Sequence, residues 1–373
     1  TVIQFVITFL FNTTAMTIQA YERFVFIRLC LIIACVLQPC INLLLLYHGG
    51  NVVTISVATL VISFLTYVVY YCYAKKVLDL KYKFDNFDKN LFKNIFVFSA
   101  FLFLNTITDQ LTFSTDNIIL GIFSGSIMVA IYSVGSNFKN YFMAFSTSAS
   151  SVFAPKINKI IAESGSDDET NEIFIRIGRI QFYIVTLILL GYIFWGRQFV
   201  YLWVGNEYSD AYWIGLLLMI SVYVPCFQNI GLEIQKAKNM HKARSVVYFL
   251  IAIVNIIITI PLSFLYGGIG AAFATCLCMF IGTVIFMNIY NYKKVGIDIP
   301  AFWKSIFRIL PGMIIPIVYG VFINCFININ SYWNLLFVIL GFVLVYFLSC
   351  WFFSMNHYEK DIFSKPLKRF LKK

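Results

Sequence analysis

Apolar runs of about 20 residues follow one another along almost the whole chain, and they constrain its fold more than any other feature. A helix of this length crosses a hydrocarbon layer about 30 Å thick. Helices are expected because backbone groups in lipid must find hydrogen-bond partners within their own segment. Eleven spans are predicted, near residues 1–20, 29–47, 52–74, 92–121, 127–152, 180–202, 212–235, 245–266, 268–290, 307–328 and 334–355. The run 92–121 is too long and too polar for a straight crossing, so we expect it to be tilted or broken.

The composition supports a membrane protein and offers no sign of catalysis. Hydrophobic residues make up 60% of the 373 residues and charged residues only 12%, whereas soluble domains carry about 25% charged residues. The nine cysteines lie in apolar stretches without a CxxC pair, and the three histidines are scattered. We therefore expect an all-α polytopic membrane protein that is not an enzyme and has neither a metal site nor a cofactor.

The basic residues predict which loops face the cytoplasm. Of the 28 lysines and arginines, 26 lie in alternate loops and in the C-terminal tail. The other set of loops contains none: HGGN, FSGS, WVGNEYSDA, YGG and NINSYW. Because cytoplasmic loops carry an excess of Lys and Arg, the basic loops and the C-terminus are predicted to be cytoplasmic. The acidic stretch 163–172 (ESGSDDETNE) is predicted to be a solvated loop on this side, and a short surface helix is the alternative for the cytoplasmic segment 156–179 around it.

Two segments of the chain resemble each other. Residues 46–77 and 265–295 both open with Leu-Tyr and a glycine pair, and both close with Lys-Lys-Val. Such parallel repeats occur in transporters with two lobes. Three predicted helices precede the second copy and not the first, so we expect the chain to be the last eleven helices of about fourteen. The predicted divisions are 1–75 (remainder of the N-terminal lobe, three helices), 92–290 (six-helix C-terminal lobe), 307–355 (final helix pair) and 356–373 (basic cytoplasmic tail).

Some polar and ionisable residues lie inside the apolar spans, where lipid makes them costly. In the run 92–121 four of them share one helix face at the spacing of 3.6 residues per turn: Asn105, Asp109, Thr112 and Asp116. Lys139 lies near the middle of span 127–152 with Ser136 one turn away, and Arg197 lies near the outer end of its span. Lys139 and Arg197 are the two basic residues outside the cytoplasmic loops.

These residues have a functional and a structural interpretation. In the first, they line a water-filled polar cavity in which Lys139 attracts an anionic group while Asp109 and Asp116 balance charge or relay protons. In the second, an Asp–Lys pair joins neighbouring helices. For Arg197, a side chain that extends to the membrane interface is the simpler interpretation.

Three motifs resemble a known family. The first is TDNIILGIFSGSIMVAIYSVGSNF (115–138) followed by APKI (154–157), with Asp116, Gly121, Gly125, Tyr132-Ser133 and Pro155. The others are LWVGNEYSDA (202–211) and YGGIGAAFAT (266–275). With these motifs the chain resembles, over essentially its whole length, the polysaccharide and O-antigen flippases (Wzx-like proteins) of the multidrug/oligosaccharidyl-lipid/polysaccharide exporter superfamily.

The resemblance implies a two-lobed exporter fold whose first lobe is incomplete here. It also implies translocation of an undecaprenyl-diphosphate-linked oligosaccharide across the bacterial inner membrane by alternating access with ion coupling. Lys139 and Arg197 would line a cationic substrate cavity, and Asp116 matches the family's aspartate. A polysaccharide polymerase and a chain-length regulator would be partners; nucleic acid would not.

Two other functions remain as alternatives. A multidrug cation antiporter of the same fold should have an acidic, aromatic cavity, against which Lys139 argues. A membrane polysaccharide polymerase should carry large outer loops, whereas the predicted outer loops are only a few residues long.

Overall fold

Helices make up nearly all of the described part of the chain. The computed structural model describes residues 2–21, 23–78, 88–93, 95, 96, 99, 103, 107, 110, 114–163, 167–238, 240–326, 329 and 331–361, and these contain no strand. They form two compact units, Thr1–Ile95 and Phe96–Lys373. We call them the N-terminal unit and the C-terminal unit.

Three long helices are defined among the described residues of the N-terminal unit: α1 (Val2–Ala20), α2 (Phe24–Tyr47) and α3 (Val52–Lys76). α3 packs against both of the others. Asn51 begins α3 by accepting a hydrogen bond from the Thr54 backbone N–H, at 3.1 Å, which satisfies one of the free donors at a helix start. Most apolar side chains of α2 are exposed in this unit, as expected for a helix that faces lipid.

The described part of the C-terminal unit contains nine further main α-helices, which are α4 (Thr115–Phe123), α5 (Gly125–Glu163), α6 (Asp167–Val204), α7 (Asp210–Phe227), α8 (Ile230–Ala237), α9 (His241–Met279), α10 (Ile299–Phe307), α11 (Ile314–Phe326) and α12 (Tyr332–Phe353). After α9 the helix continues as a π-helical stretch, Phe280–Phe286, one α-helical turn, Met287–Tyr290, and a second π-helical stretch, Asn291–Val295. Gly125 has φ of 82°, a left-handed conformation that suits glycine and allows the tight turn between α4 and α5.

Helix α6 is the centre of the C-terminal unit. It packs against α5, α7, α10, α11 and α12. Trp195 on α6 is 1% exposed, and its ring lies 5.1 Å from that of Phe342 on α12. Gly178 on α6 leaves room for Phe302 on α10, because an added Cβ would lie 2.4 Å from that ring. The final helices are therefore packed onto the same core as α5 to α9.

A buried arginine joins α6 to the ends of α10 and α12. Arg179 on α6 donates from Nε to Glu359 Oε1 at 2.5 Å and from Nη2 to Glu359 Oε2 at 3.0 Å. It also donates to the backbone carbonyls of Ser305 (2.8 Å) and Ser354 (3.1 Å). The side chains of Arg179 and Glu359 are 8% and 2% exposed. This bidentate pair ties the segment after α12 to α6 and α10.

Helix α9 confirms the break predicted between spans 245–266 and 268–290. Gly267 has φ of 58° and ψ of −138°, which kinks the helix. The apolar stretch Arg244–Val295 has 52 residues, about 78 Å at 1.5 Å per residue. That length suffices for two crossings of a 30 Å layer.

Seven described stretches are long and apolar enough to cross a membrane. They confirm a polytopic all-α membrane protein, while the number of eleven crossings stays a prediction. One local prediction was wrong. From Asp167 onward the acidic stretch 163–172, predicted to be a loop, is helical, because acidic side chains in a first turn are stabilised by the helix dipole. The predicted span 307–328 overlaps the apolar stretch Ile299–Phe326, which is long enough to cross a membrane; a 3₁₀ turn, Leu310–Met313, which contains Pro311, precedes α11 in it.

Candidate functional site

A cavity of about 590 Å³ lies within the C-terminal unit. Its described lining comes from α4, α5, α7, α8, α9 and the π-helical stretches that follow α9. The residues are Gln110, Ser114, Asn117, Ser136, Lys139, Asn140, Met143, Ser146, Thr147, Val222, Pro225, Cys226, Gln228, Asn229, Gly231, Leu232, Gln235, Arg244, Tyr248, Met279, Thr283, Met287 and Asn291. Polar side chains are numerous for a helical bundle of such high apolar content, which makes the cavity the principal candidate site.

Two helices supply the polar lining through regular spacing. On α5 the lining residues Ser136, Lys139, Met143 and Ser146 recur every three or four residues, so they share one helix face. On the other side Met279, Thr283, Met287 and Asn291 recur every fourth residue. In a regular α-helix a stripe of this spacing drifts by about 40° per step. The wider π-helical turns offset that drift and keep all four residues on the cavity.

The charged residues that line the cavity are cations. Lys139 is 4% exposed, and Arg244 lies half-buried at the start of α9. The Arg244 guanidinium lies 4.6 Å from the centroid of the Tyr248 ring and donates a hydrogen bond to its hydroxyl at 3.3 Å. No Asp or Glu is among the described lining residues. The cavity therefore suits an anionic ligand rather than a cationic one.

Seven carboxamide side chains also line the cavity. Gln235, which is 1% exposed, donates from Nε2 to Asn291 Oδ1 at 2.5 Å. Four buried polar atoms of the lining have no hydrogen-bond partner among the described residues: Asn117 Oδ1, Ser136 Oγ, Gln228 Nε2 and Gln235 Oε1. Native proteins rarely leave such atoms unpaired, so the cavity is suited to bind a polar molecule that forms hydrogen bonds with these four atoms.

Next to the cavity, a buried carboxylate on one helix accepts hydrogen bonds from two others. Asp116 on α4 is 1% exposed. Its Oδ2 accepts from the Tyr132 hydroxyl at 2.5 Å and from Thr275 Oγ1 at 2.9 Å. Asn255 Nδ2 donates to Thr275 Oγ1 at 3.2 Å, and Thr259 Oγ1 donates to Asn255 Oδ1 at 3.2 Å. We call these five residues the Asp116 cluster.

The predicted site residues fall into three groups. Lys139 and Ser136 line the cavity, and Asp116 lies beside it and interacts electrostatically with Lys139. Arg197 is exposed on α6 and lies outside the cavity lining. Asn105, Asp109 and Thr112 lie outside the described residues.

Several site residues escaped the sequence analysis. Arg244 was counted only as a loop charge, although it begins α9 and lines the cavity. Asn255 and Thr259 are four residues apart on one helix face, a signal that was visible in the sequence. Thr275 lies 159 residues from its partner Asp116, and no local pattern indicates that contact.

Comparison with solved structures gives the same fold. The chain is similar to "Lipid II flippase MurJ, inward closed conformation", with a TM-score of 0.67 and 17% sequence identity. The alignment covers 97% of this chain and 72% of the MurJ chain. At this identity the likeness establishes the fold alone. No curated protein sequence matches the chain.

The sequence model of a family described as "Polysaccharide biosynthesis protein" matches residues 1–212. This match covers more than half of the 373 residues. It confirms, at the level of the family, the resemblance drawn from the motifs. The chain therefore belongs to the polysaccharide biosynthesis protein family.

Proposed function

We propose that this protein is a flippase that moves a lipid-linked oligosaccharide across the cytoplasmic membrane by alternating access. The observation that carries the proposal is the cationic, carboxamide-rich cavity inside a bundle of membrane-spanning helices. Membership of a polysaccharide biosynthesis family and a fold similar to that of a lipid II flippase support it. The undecaprenyl diphosphate carrier and an O-antigen or capsule repeat unit as its cargo belong to the same proposal.

The charge of the cavity fits a diphosphate-linked headgroup. Lys139 is a buried cation of the lining, and a charge in a low-dielectric surrounding attracts an opposite charge strongly. Lys139 and Arg244 line the same cavity, so a phosphate there would meet two cations. Hydrogen bonds that involve charged groups contribute about 1.5–3 kcal/mol each. A cationic drug would find no carboxylate among the described lining residues, which disfavours the antiporter alternative.

The Asp116 cluster is the proposed coupling site. A carboxylate that is 1% exposed and accepts hydrogen bonds from two hydroxyl groups can take up a proton or a small cation, and either would neutralise its charge. Because Lys139 interacts with Asp116, neutralisation would change how strongly Lys139 attracts an anion. Asp109, the second predicted coupling residue, keeps that role as part of the proposal. Arg197, at an exposed position, would act at the edge of the substrate path.

The proposal includes an orientation and a division of labour. The basic loops and the C-terminus are cytoplasmic, so Arg244 and the basic segment 236–244 put the cavity at the cytoplasmic end. Residues 1–75 belong to the N-terminal lobe, 92–290 form the six-helix C-terminal lobe and 307–355 the final helix pair. The translocated repeat unit would pass to a polymerase and a chain-length regulator.

A test in cells uses the full-length gene. The variant Lys139→Ala should lower surface polysaccharide by about tenfold or more, since one charge-assisted contact is lost, and should raise the pool of lipid-linked repeat units. Lys139→Arg should retain part of the activity. Lys236→Ala is the matched control, because Lys236 is exposed and pairs with Glu233 at the surface. Wild-type polysaccharide levels in Lys139→Ala would overturn the assignment. Lost drug resistance with unchanged polysaccharide would support the antiporter.

A further inference from the structure

One wall of the cavity is built from carboxamide side chains, two of which form a hydrogen bond between neighbouring helical segments. We call Gln228, Gln235 and Asn291 the carboxamide wall. We propose that this wall is a sugar-binding subsite, which holds uncharged hydroxyl or acylamino groups of the saccharide while Lys139 and Arg244 hold its anionic part. The inference rests on the proposed function and adds which residues recognise the sugar rather than the phosphate.

The unpaired atoms of the wall have the hydrogen-bonding pattern that a sugar complements. Gln235 uses Nε2 to reach Asn291, and its Oε1 has no partner among the described residues. Gln228 Nε2 is likewise unpaired there. The wall thus offers one acceptor and one donor. A sugar hydroxyl both donates and accepts hydrogen bonds, so a saccharide can satisfy both atoms.

The wall is continuous. Gln228, Gly231 and Gln235 are spaced three and four residues apart, which places them on one face of α8 and the turn before it. An added Cβ on Gly231 would lie 3.9 Å from Asn291 Nδ2, so α8 and the π-helical stretch touch at the glycine as well as at Gln235. Gly231 lines the cavity together with Gln228 and Gln235, so the unpaired polar atoms of the two glutamines face the same cavity and can be reached by one ligand.

Other ligand classes fit the wall less well. An acyl chain would leave both unpaired polar atoms unsatisfied, which is unfavourable in a buried site. An inorganic anion needs only Lys139 and Arg244 and gains nothing from Gln235 Oε1, which is an acceptor. An organic cation would face two cations. A phosphorylated sugar uses all of these groups at once.

The chain provides a closely matched control for Gln235. Gln198 on α6 donates from Nε2 to Asn324 Oδ1 at 3.1 Å, and its Oε1 also has no partner among the described residues. Both sites are therefore Gln–Asn pairs with an unpaired glutamine oxygen. Gln198 lies outside the cavity lining, so the pair differs from Gln235–Asn291 in its position.

The test measures binding of two probes, glucose 1-phosphate and inorganic phosphate, to the whole protein in lipid nanodiscs by calorimetry. Wild type should bind the sugar phosphate more tightly than phosphate. Gln235→Met should weaken sugar-phosphate binding by about threefold to tenfold, the effect of one neutral hydrogen bond, and leave phosphate binding unchanged. Gln228→Met should also weaken sugar-phosphate binding and leave phosphate binding unchanged. The second variant keeps the test valid if Gln235→Met fails to fold. Gln198→Met should change neither affinity.

Three results would overturn the subsite: equal affinity of wild type for both probes, equal loss of both probes in Gln235→Met, or no loss in either wall variant. Failure of the subsite is distinguishable from failure of the proposed function. If Lys139→Ala leaves surface polysaccharide unchanged while Gln235→Met still weakens sugar-phosphate binding, the subsite stands and the flippase assignment falls. If Lys139→Ala lowers surface polysaccharide while Gln235→Met leaves sugar-phosphate binding unchanged, the flippase assignment stands and only the subsite is refuted.

Discussion

Removal of the Arg179 side chain should destabilise the protein strongly. In Arg179→Met, Glu359 keeps its charge at a side chain that is 2% exposed, and it loses hydrogen bonds of 2.5 and 3.0 Å. The backbone carbonyls of Ser305 and Ser354 each lose a donor as well. Breaking a buried ion pair by removing one partner costs about 3–5 kcal/mol. The unfolding equilibrium should therefore shift by about 100-fold to several thousandfold.

The assay is chemical unfolding in detergent micelles, followed by intrinsic fluorescence. Arg176→Met is the control, because Arg176 on the same helix pairs with Glu172 at a surface where both side chains are about half exposed, at 46% and 57%. An exposed pair contributes about 1 kcal/mol or less, and the guanidinium of Arg176 over the Tyr358 ring adds a similarly small amount.

A double variant tests the reasoning about charge. Arg179→Met combined with Glu359→Met removes both charges and leaves no uncompensated carboxylate. It should therefore be more stable than Arg179→Met alone, since apolar replacement of a whole buried pair is often close to neutral. A cost for Arg179→Met no larger than that for Arg176→Met would refute the account of a buried pair. So would a double variant less stable than the single one.

Three further predictions concern packing, coupling and topology. Gly135→Ala should cost about 1–3 kcal/mol, because the new Cβ would lie 3.0 Å from the backbone of Ala211 and Gly215. Gly191→Ala, with nothing within 4 Å, should be neutral or stabilising by up to about 1 kcal/mol; equal costs in thermal unfolding would contradict this. Asp116→Asn should abolish the dependence of transport on an imposed proton or sodium gradient, whereas an unchanged dependence would exclude Asp116 as the coupling residue. In a variant whose nine native cysteines are replaced, a cysteine placed by Lys360→Cys should react with an impermeant maleimide in inside-out vesicles, and labelling in intact cells would contradict the proposed topology.

The sequence predicted the helices well because lipid imposes a simple rule. A segment that crosses the bilayer needs a long apolar run, so the spans on either side of Gly267 could be placed from their apolar runs, and the break between them from the glycine pair that separates the runs. The prediction for 163–172 was wrong because an acidic, polar stretch resembles a loop in composition. Its helical state depends on where α6 starts, and Asp167 occupies that first turn.

The candidate site was predictable only in part. Lys139 and Asp116 could be identified because an ionisable residue inside an apolar span is visible in the sequence without knowledge of the fold. Gln235 and Asn291 carry no such signal, since each lies among polar residues near a helix end. Their pairing across 56 residues depends on how α8 packs against the π-helical stretch, and that is a property of the folded bundle.

Direct measurement of lipid translocation tests the central claim. The full-length protein would be reconstituted into proteoliposomes that contain an undecaprenyl-diphosphate-linked oligosaccharide, and a lectin or a glycosidase outside the vesicles would report the saccharide that reaches the outer leaflet. The account predicts that active protein makes nearly all of the saccharide accessible, and that Lys139→Ala slows this by about tenfold or more while Lys236→Ala does not. If accessibility stayed at the level of protein-free vesicles under an imposed proton or sodium gradient, the flippase assignment would be contradicted.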